Sequence, residues 1–439
     1  MNNLIVQVSK IVLIILFALF TLELFSSLRY KKNQLLKFIL IRQRILMFLI
    51  LLLGNAVSYT QTSKNEFILL FLIECLFLMM LIKIYNIFYQ KANQILIHGI
   101  SMLLIISFII LPRLNYGKSI KHIIFCFIAL VISSFVPLIM QKIQDLKKYK
   151  WFYGGTGIVL LLMVAILGAT SHGAKLSLPL GPFSFQPSEF VKITFVFFTA
   201  AMLFQDTSFK NVVVTTIFAA LHVLILVASN DLGGGFIYFF TYLIMLYVAT
   251  KKVSYLGIGL FFGSGAALLA YRLFSHVRIR VLAWKDPFSV IDGAGYQISQ
   301  SLFAIGTGGW FGLGLYEGMP DTIPVACEDF VFSAISEEMG GIFAICLIFL
   351  AIGIFLMIVN IAFRIKNQFY KLIALGLGTV YGVQVFINIG GVIKFIPSTG
   401  VTLPFVSYGG SSLLSSFMII AIIQGLYLMD HEKKGEKNE

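Results

Sequence analysis

The stretch FILLFLIECLFLMMLIKIYNIFY, residues Phe67–Tyr89, carries only two charged side chains, Glu74 and Lys83. A helix crosses the hydrocarbon core of a bilayer with about 20 predominantly apolar residues. In lipid every backbone polar group must bond within the protein, which favours a helix over any open structure. The stretch therefore predicts a transmembrane helix.

Similar apolar stretches recur along the chain. Hydrophobic residues form 59% and charged residues 12% of the 439 residues, whereas about a quarter of a soluble domain is charged. We therefore predict an all-α, polytopic transmembrane helical bundle, with Ile5–Phe25 as a retained first span and no cleaved signal peptide. The expected spans, about thirteen in number, lie near Ile5–Phe25, Phe38–Val57, Phe67–Tyr89, Ile97–Leu111, Ile120–Ile139, Phe152–Ala169, Glu189–Phe204, Val212–Ala228, Phe236–Ala249, Tyr255–Leu273, Phe330–Val359, Ile373–Gly391 and Ser411–Leu428.

The net charge of +14 fits such a protein without a nucleic-acid partner. Cytoplasmic loops of membrane proteins hold an excess of Lys and Arg. With this span count most basic loops fall on one side, which predicts a cytoplasmic C-terminus and an N-terminus outside. The basic residues of that side are Arg29, Lys31, Lys32, Lys37, Lys142, Lys147, Lys148, Lys150, Lys251, Lys252, Arg364, Lys366, Lys371, Lys433, Lys434 and Lys437. Arg113, Lys118 and Lys121 are the exception, because they fall on the outer side.

The loops of the opposite side are rich in Gly and Pro and carry motif-like sequences. They are His172–Ser188, Ser229–Gly235, Phe274–Asp329 and Val392–Tyr408. The loop Phe274–Asp329 is far longer than a hairpin connection, and loops of such length tend to be functional. Function is therefore expected at the outer face.

The first motif, Gly181–Lys192, ends in an ionisable pair. Glu189 and Lys192 are three residues apart, which puts them on one face of a helix that Ser188 can cap. Ionisable groups near a membrane are costly unless they are paired or used. The pair predicts either a functional site or an ion pair that only seals the helix end.

Two further outer motifs bring small residues to the start of a span. In Asn230–Gly235 the carboxyl group of Asp231 predicts either a helix cap or a site for a cation or polar substrate. In Pro397–Ser412 the small residues allow close approach of helices or of a lipid head group.

The long loop gathers several carboxylates over the membrane. A general base or a metal-assisted transferase would use such groups, although a packed cap with solvated acids is the simpler alternative. No CxxC motif and no His/Cys cluster with metal-ligand spacing occurs. The acidic residues are Asp286, Asp292, Glu328 and Asp329, with Glu337 and Glu338 two helical turns further on.

Five sequence blocks, taken together and in order, resemble the SEDS family (shape, elongation, division and sporulation). The blocks are Gln186–Lys192, Asp231–Gly234, Gly295–Ser301, Asp329–Phe332 with Glu337–Glu338, and Leu403–Ser412. The resemblance covers roughly Ile97 to Leu428. It implies additional N-terminal helices in residues 1–93, a ten-helix core in 94–430 with the long loop 274–329, and a cytoplasmic tail in 431–439.

This resemblance implies a peptidoglycan glycosyltransferase that polymerises lipid II at the outer face of the bacterial cytoplasmic membrane. A class B penicillin-binding protein and other division or elongation membrane proteins are the implied partners. A lipid-precursor flippase and a catalytically silent scaffold for a penicillin-binding protein are the alternatives. The implied substrate-binding residues are Glu189, Lys192, Asp231, Gln297, Asp329 and Ser411.

The family has its catalytic Asp about six residues before the Tyr of Gly-Tyr-Gln, where this chain has Val290. We predict that Asp292 supplies the base instead, because residues two apart in an extended segment point to the same side. Lys192, or a divalent cation such as Mg²⁺ or Mn²⁺ near the acidic loop, would hold the diphosphate leaving group.

Overall fold

A computed structural model of the chain describes residues 2–29, 33–143, 145–171, 174–180 and 183–435. Its helices, numbered in chain order, are α1 (Asn2–Arg29), α2 (Asn33–Thr62), α3 (Glu66–Ile87), α4 (Gln94–Leu114), α5 (Tyr116–Ser134), α6 (Val136–Lys142), α7 (Lys150–Leu167), α8 (Pro187–Leu203), α9 (Phe209–Ala228), α10 (Leu232–Thr250), α11 (Val253–Leu273), α12 (Ser275–Lys285), α13 (Tyr296–Gly308), α14 (Val331–Arg364), α15 (Gln368–Val392) and α16 (Gly410–Gly435). Three short strands, β1 (Ala169–Ser171), β2 (Ala174–Leu180) and β3 (Phe183–Phe185), pair antiparallel in the order β1-β2-β3.

The predicted helical bundle is confirmed. Within the described residues, 11 helices are long and apolar enough to cross a membrane. Each predicted span overlaps a helix; the two beyond those 11 coincide with α2 and with α8, which has only 17 residues. The chain is therefore a multi-pass membrane protein.

Some local features differ from the sequence-based expectation. The span Ile120–Ile139 breaks between α5 and α6. The loop before α8 contains the three strands, and the long loop contains α12 and α13. Several predicted positions lie outside the described residues, namely Lys31, Lys32, His172, Gly181, Pro182, Lys437 and the rest of 436–439.

Helix α4 forms the centre of one half of the bundle. Every residue from Leu96 to Pro112 is buried, which is typical of a helix that is apolar on all sides and enclosed by other helices. Gly99 allows close packing against Ile354 of α14, and Gly54 of α2 packs against Ile109. Leu24 of α1 packs on Gly353 of α14, so the N-terminal helices α1 and α2 both pack directly on the rest of the bundle.

The N-terminus lies at the same face of the bundle as the long loop, which we call the loop face. Near the start of α1, the Lys10 ammonium donates to the carbonyl of Gly312 at 2.9 Å. Further along, Phe17 contacts Phe343 of α14 with ring centroids 4.4 Å apart, and Leu24 packs on Gly353, so the two helices run parallel. At the other face, the backbone N–H of Lys366 donates to Asp430 near the end of α16.

Candidate functional site

Helix α8 starts two residues earlier than predicted, at Pro187 instead of Glu189. Gln186 occupies the N-cap position and Pro187 the first turn, so the predicted cap by Ser188 is wrong. The physical reason is that proline has no N–H to satisfy and its fixed φ suits the first helical position. The Ser188 hydroxyl lies 3.5 Å from Oδ2 of Asp231 instead.

The ion pair expected from the spacing of Glu189 and Lys192 is present and buried. The Lys192 ammonium lies 2.6 Å from Oε2 of Glu189, and the two side chains are 3% and 13% exposed. The same ammonium donates to Oε1 of Gln384 at 2.9 Å. Burial on this scale is costly for an ion pair unless further hydrogen bonds satisfy the charges.

These further bonds come from α15 and α16. Gln384 donates through Nε2 to the carbonyl of Thr402 at 3.1 Å and to the hydroxyl of Ser412 at 3.3 Å. Ser415 donates to Oε2 of Glu189 at 2.6 Å. Glu189, Lys192, Gln384, Ser412 and Ser415 thus form one buried polar network, the α8–α15–α16 network.

Asp231 caps α10, which confirms the capping interpretation. Its Oδ1 accepts from the backbone N–H of Gly234 at 2.7 Å. Burial raises the pKa of the Asp231 carboxyl above its usual value, and the negative charge of Glu189 raises it further. The hydrogen bond from the Gly234 N–H and the positive charge of Arg280 lower the pKa but do not cancel the rise. The Asp231 carboxyl therefore interacts electrostatically with Glu189 of the α8–α15–α16 network.

Arg280 is a site residue that the sequence analysis missed. This half-buried residue of α12 donates from its guanidinium to the carbonyl of Ser398 at 2.9 Å. Burial lowers the pKa of Arg280 from its usual value, while the charges of Asp329 and Asp231 raise it. The only sequence feature that could have indicated Arg280 is its position close to Arg278, where the two form a pair of basic residues in the first part of the long loop.

Asp329 lies where α14 begins. Asn388 of α15 donates to its backbone carbonyl at 2.9 Å and to that of Val401 at 2.6 Å. The Asp329 carboxylate lies over Gly400, where a Cβ atom would come within 3.4 Å. Gly400 has φ +76°, a conformation that glycine adopts without strain.

Ser411 has a linking position rather than an open one. Its hydroxyl accepts from the backbone N–H of Gln186 at 3.1 Å and donates to the carbonyl of Ser184 at 3.3 Å. These contacts join the start of α16 to β3 and to the start of α8.

Asp292 and Gln297 lie on the surface of the long loop. Both are exposed, and neither side chain forms a hydrogen bond or ion pair with the described part of the chain. The expected extended geometry is wrong, because 288–290 form a 3-10 turn and the carbonyl of Val290 accepts from both Gly293 and Gly295. In such a turn Val290 and Asp292 do not share a side.

Two of the three exceptions to the charge pattern, Arg113 and Lys118, have a structural explanation. Arg113 is only 12% exposed and lies 2.9 Å from Oε1 of Glu338, and Lys118 lies 3.0 Å from Oε1 of Glu328. Glu337 and Glu338 are buried in α14, inside the predicted span Phe330–Val359 and beyond the end of the long loop. These basic residues neutralise specific carboxylates near the loop.

Metal ligation by the protein alone does not fit the described residues. No group of three or more His, Cys, Asp or Glu side chains that could hold a metal ion occurs among them.

The fold and this network define a polytopic helical membrane protein with a buried ionic site at its loop face. The family model FTSW_RODA_SPOVE, described as cell cycle protein, matches residues 92–432. The chain belongs to this family. The match begins after α3, so α1–α3 lie outside it.

Named relatives and solved structures agree with this assignment. The peptidoglycan glycosyltransferase RodA of Mycobacterium tuberculosis (strain ATCC 25618 / H37Rv) is 36% identical over 322 residues, with 69% of each chain covered. The probable peptidoglycan glycosyltransferase FtsW of Aliivibrio salmonicida is 32% identical over 78% of this chain and 87% of its own.

Two solved structures show the same fold. One carries the description "Structural coordination of polymerization and crosslinking by a peptidoglycan synthase complex". It superposes with a TM-score of 0.65 and 24% sequence identity, and the match covers 78% of this chain and 98% of the other. The other is the rod shape determining protein RodA of Thermus thermophilus, with a TM-score of 0.58, 21% identity, and 77% and 97% coverage.

Proposed function

We propose that this protein is a peptidoglycan glycosyltransferase that polymerises lipid II into glycan strands for bacterial cell-wall synthesis. One observation carries the proposal: residues far apart in the chain converge at the loop face. The α8–α15–α16 network, the Asp231 cap and Arg280 are contributed by five helices or their caps. The relatives RodA and FtsW bear this enzyme's name.

The reaction needs a base and a group that stabilises the leaving diphosphate. The acceptor 4-hydroxyl gives its proton to Asp292 while its oxygen forms the new bond to the anomeric carbon of the donor. The bond from that carbon to the diphosphate oxygen breaks, and the diphosphate leaves with the electron pair. Asp292 suits this role because it is exposed on the long loop and open to substrate.

Arg280 is our candidate for holding the diphosphate. A guanidinium presents several N–H donors in a planar fork that matches phosphate oxygens, and Arg280 is half-buried beside Asp231 and Asp329. Lys192 is enclosed by Glu189 and Gln384, so we assign it to holding α8, α15 and α16 in place. A divalent cation, if used, would arrive with the diphosphate.

The proposed orientation puts the loop face outside the cell. The N-terminus lies on that face with the long loop, and the end of α16 lies at the other, which carries most of the basic loops. An impermeant thiol reagent added to intact cells should label a cysteine placed at exposed Asp292 and not one at Lys434. Labelling at Lys434 would contradict this orientation.

The proposed partner is a class B penicillin-binding protein. The solved structure described as a peptidoglycan synthase complex supports a role for such an assembly. Cross-linking of glycan strands follows their polymerisation, so a partner that cross-links would consume the product of this site. Other membrane proteins of division or elongation are proposed to join the same assembly.

A second candidate function is a catalytically silent scaffold for that partner. Val290 favours it, because this apolar residue lies where the family has its acid. The deciding experiment is lipid II polymerisation by the purified protein with its penicillin-binding protein. The partner used must have no polymerase activity of its own. If glycan strands then form, this protein is the polymerase; if none form with any partner tested, the scaffold function is supported.

A further inference from the structure

Helix α14 is interrupted where the long loop meets it. Gly340 has φ +89° and ψ 168°, so the helix breaks there. In a continuous helix the carbonyls of Glu337 and Glu338 would accept from the N–H groups of Gly341 and Ile342. The break leaves all four of these backbone groups free to bond elsewhere.

A segment of the long loop fills this break, and we call Gly309–Gly314 the inserted segment. Leu313 and Gly314 donate to the carbonyls of Glu337 and Glu338 at 3.0 and 2.8 Å. In return, the N–H groups of Gly341 and Ile342 donate to the carbonyls of Gly309 and Trp310 at 2.8 and 3.1 Å. The inserted segment therefore replaces the hydrogen bonds that α14 gives up.

The first turns of α1 cover the inserted segment. The Lys10 ammonium donates to the carbonyl of Gly312 at 2.9 Å, and Gln7 donates to that of Leu313 at 3.3 Å. Val6 is fully buried and packs on Gly314, where a Cβ atom would come within 2.4 Å of it. Gly314 has φ +114°, so this close approach and this backbone conformation both require glycine.

The inserted segment is continuous with α13. This helix begins with Tyr296 and Gln297 and ends at Gly308, directly before the segment. Holding the segment in place therefore holds the end of α13. Through α13 it also limits the movement of the loop that carries Asp292.

We propose that α1 clamps the inserted segment, and that Lys10 is a positioning residue for glycan polymerisation. A hydrogen bond from an ammonium group is stronger than one between neutral groups, and this one joins a helix outside the family match to the loop of the proposed active site. The expected effect of Lys10 on the polymerisation rate rests on the proposed function. The contact between α1 and the inserted segment does not depend on it. It gives the added N-terminal helix a role in the reaction.

The test compares Lys10→Met, Lys10→Arg and wild type as full-length proteins in lipid nanodiscs with the partner. Methionine keeps much of the apolar stem of Lys10 and removes the donor, whereas arginine retains a charged donor. Lys83→Met is the matched control, because Lys83 is an exposed lysine near the far end of α3. Hydrogen exchange is followed in the peptides that cover 305–318, and kcat and KM are measured for lipid II.

We expect roughly tenfold faster exchange in these peptides for Lys10→Met, as the loss of one charged hydrogen bond predicts. The kcat should fall several-fold with KM unchanged, and Lys10→Arg should restore both exchange and kcat. Unchanged exchange in Lys10→Met, or the same change in Lys83→Met, would overturn the clamp. Faster exchange with an unchanged kcat would overturn the positioning role.

The two proposals fail in different ways. If the wild type polymerises no lipid II, the proposed function is wrong and Lys10 has no positioning role in polymerisation. The exchange comparison then still decides whether α1 clamps the segment.

Discussion

Oε2 of Glu189 lies 2.6 Å from the ammonium nitrogen of Lys192, one helical turn further along α8. The same oxygen accepts from the hydroxyl of Ser415 at 2.6 Å, so a single carboxylate oxygen joins α8 to α16. Gln384 takes another hydrogen of the ammonium group and extends the link to α15. The ion pair is therefore the centre of a helix junction.

Removal of one partner of this pair should be strongly destabilising. In Lys192→Met the Glu189 carboxylate stays largely buried with only Ser415 as a described partner, and breaking a buried pair in this way costs about 3 kcal/mol or more. Thermal unfolding in detergent should show a clear fall in midpoint. Unchanged stability together with unchanged activity would make the pair irrelevant.

The double variant Glu189→Gln/Lys192→Met separates stability from function. It removes both charges, so no uncompensated charge is left buried, and much of the lost stability should return. Polymerisation should stay low, because the junction of α8, α15 and α16 no longer has its charge-assisted bonds. Full recovery of polymerisation would restrict the pair to a structural role.

Arg280 should matter for substrate binding in a way that Arg278 does not. Arg280→Lys keeps the charge but loses the planar fork, so KM for lipid II should rise several-fold. Arg280→Met should raise it further, by roughly tenfold or more for the loss of a charged hydrogen bond. The control is Arg278→Met on the same helix, since Arg278 is exposed. An equal effect of the Arg278 variant would show a general charge effect instead.

Much of the fold could be predicted because a bilayer sets the length and polarity of each span. The Glu189–Lys192 contact could also be predicted, since two residues three apart on a helix meet without help from the rest of the chain. Arg280 could not, because its partners Ser398 and Asp329 are distant in sequence and only the packing of α12 brings them near.

Local backbone geometry explains the remaining differences. Ser188 was expected to cap α8, but Pro187 can occupy the first turn and moves the start of the helix. Val290 and Asp292 were placed on one side of an extended segment, yet two backbone bonds to the Val290 carbonyl close a turn there. Such turns depend on close contacts, for example that of Gly295 with the Pro287 carbonyl, which no periodic pattern reveals.

Asp231 should make stability depend on pH. Burial raises the pKa of its carboxyl in the folded protein above the ordinary value of 3.8, so the folded state holds its proton more tightly than the unfolded state. Its contribution to stability is then largest below about pH 4 and is lost as pH rises through the folded pKa. Asp231→Asn, which can still cap α10, should unfold at a similar temperature at pH 4 and at a higher one at pH 7. The same difference at both pH values would contradict the shift.

The sharpest test of the proposed chemistry concerns the acid of the long loop. Asp292→Asn should lower lipid II polymerisation by roughly a hundredfold or more, as for loss of a general base, with normal protein levels in the membrane. Asp286→Asn is the matched control, because Asp286 accepts from the backbone N–H of Ser289 and shapes the turn, a bond that asparagine can also accept. Its effect should be much smaller.

The variant Val290→Asp tests which position in the long loop the general base must occupy. It puts a carboxylate at the family's position, on the other side of the turn from Asp292. If Asp292 acts from a shifted position, Val290→Asp should restore much of the activity lost in Asp292→Asn. If Asp292→Asn polymerises normally, the base lies elsewhere. If the wild type is inactive and Val290→Asp alone creates polymerisation, the natural protein is a scaffold that lost its acid, because the rest of its site can still support the reaction.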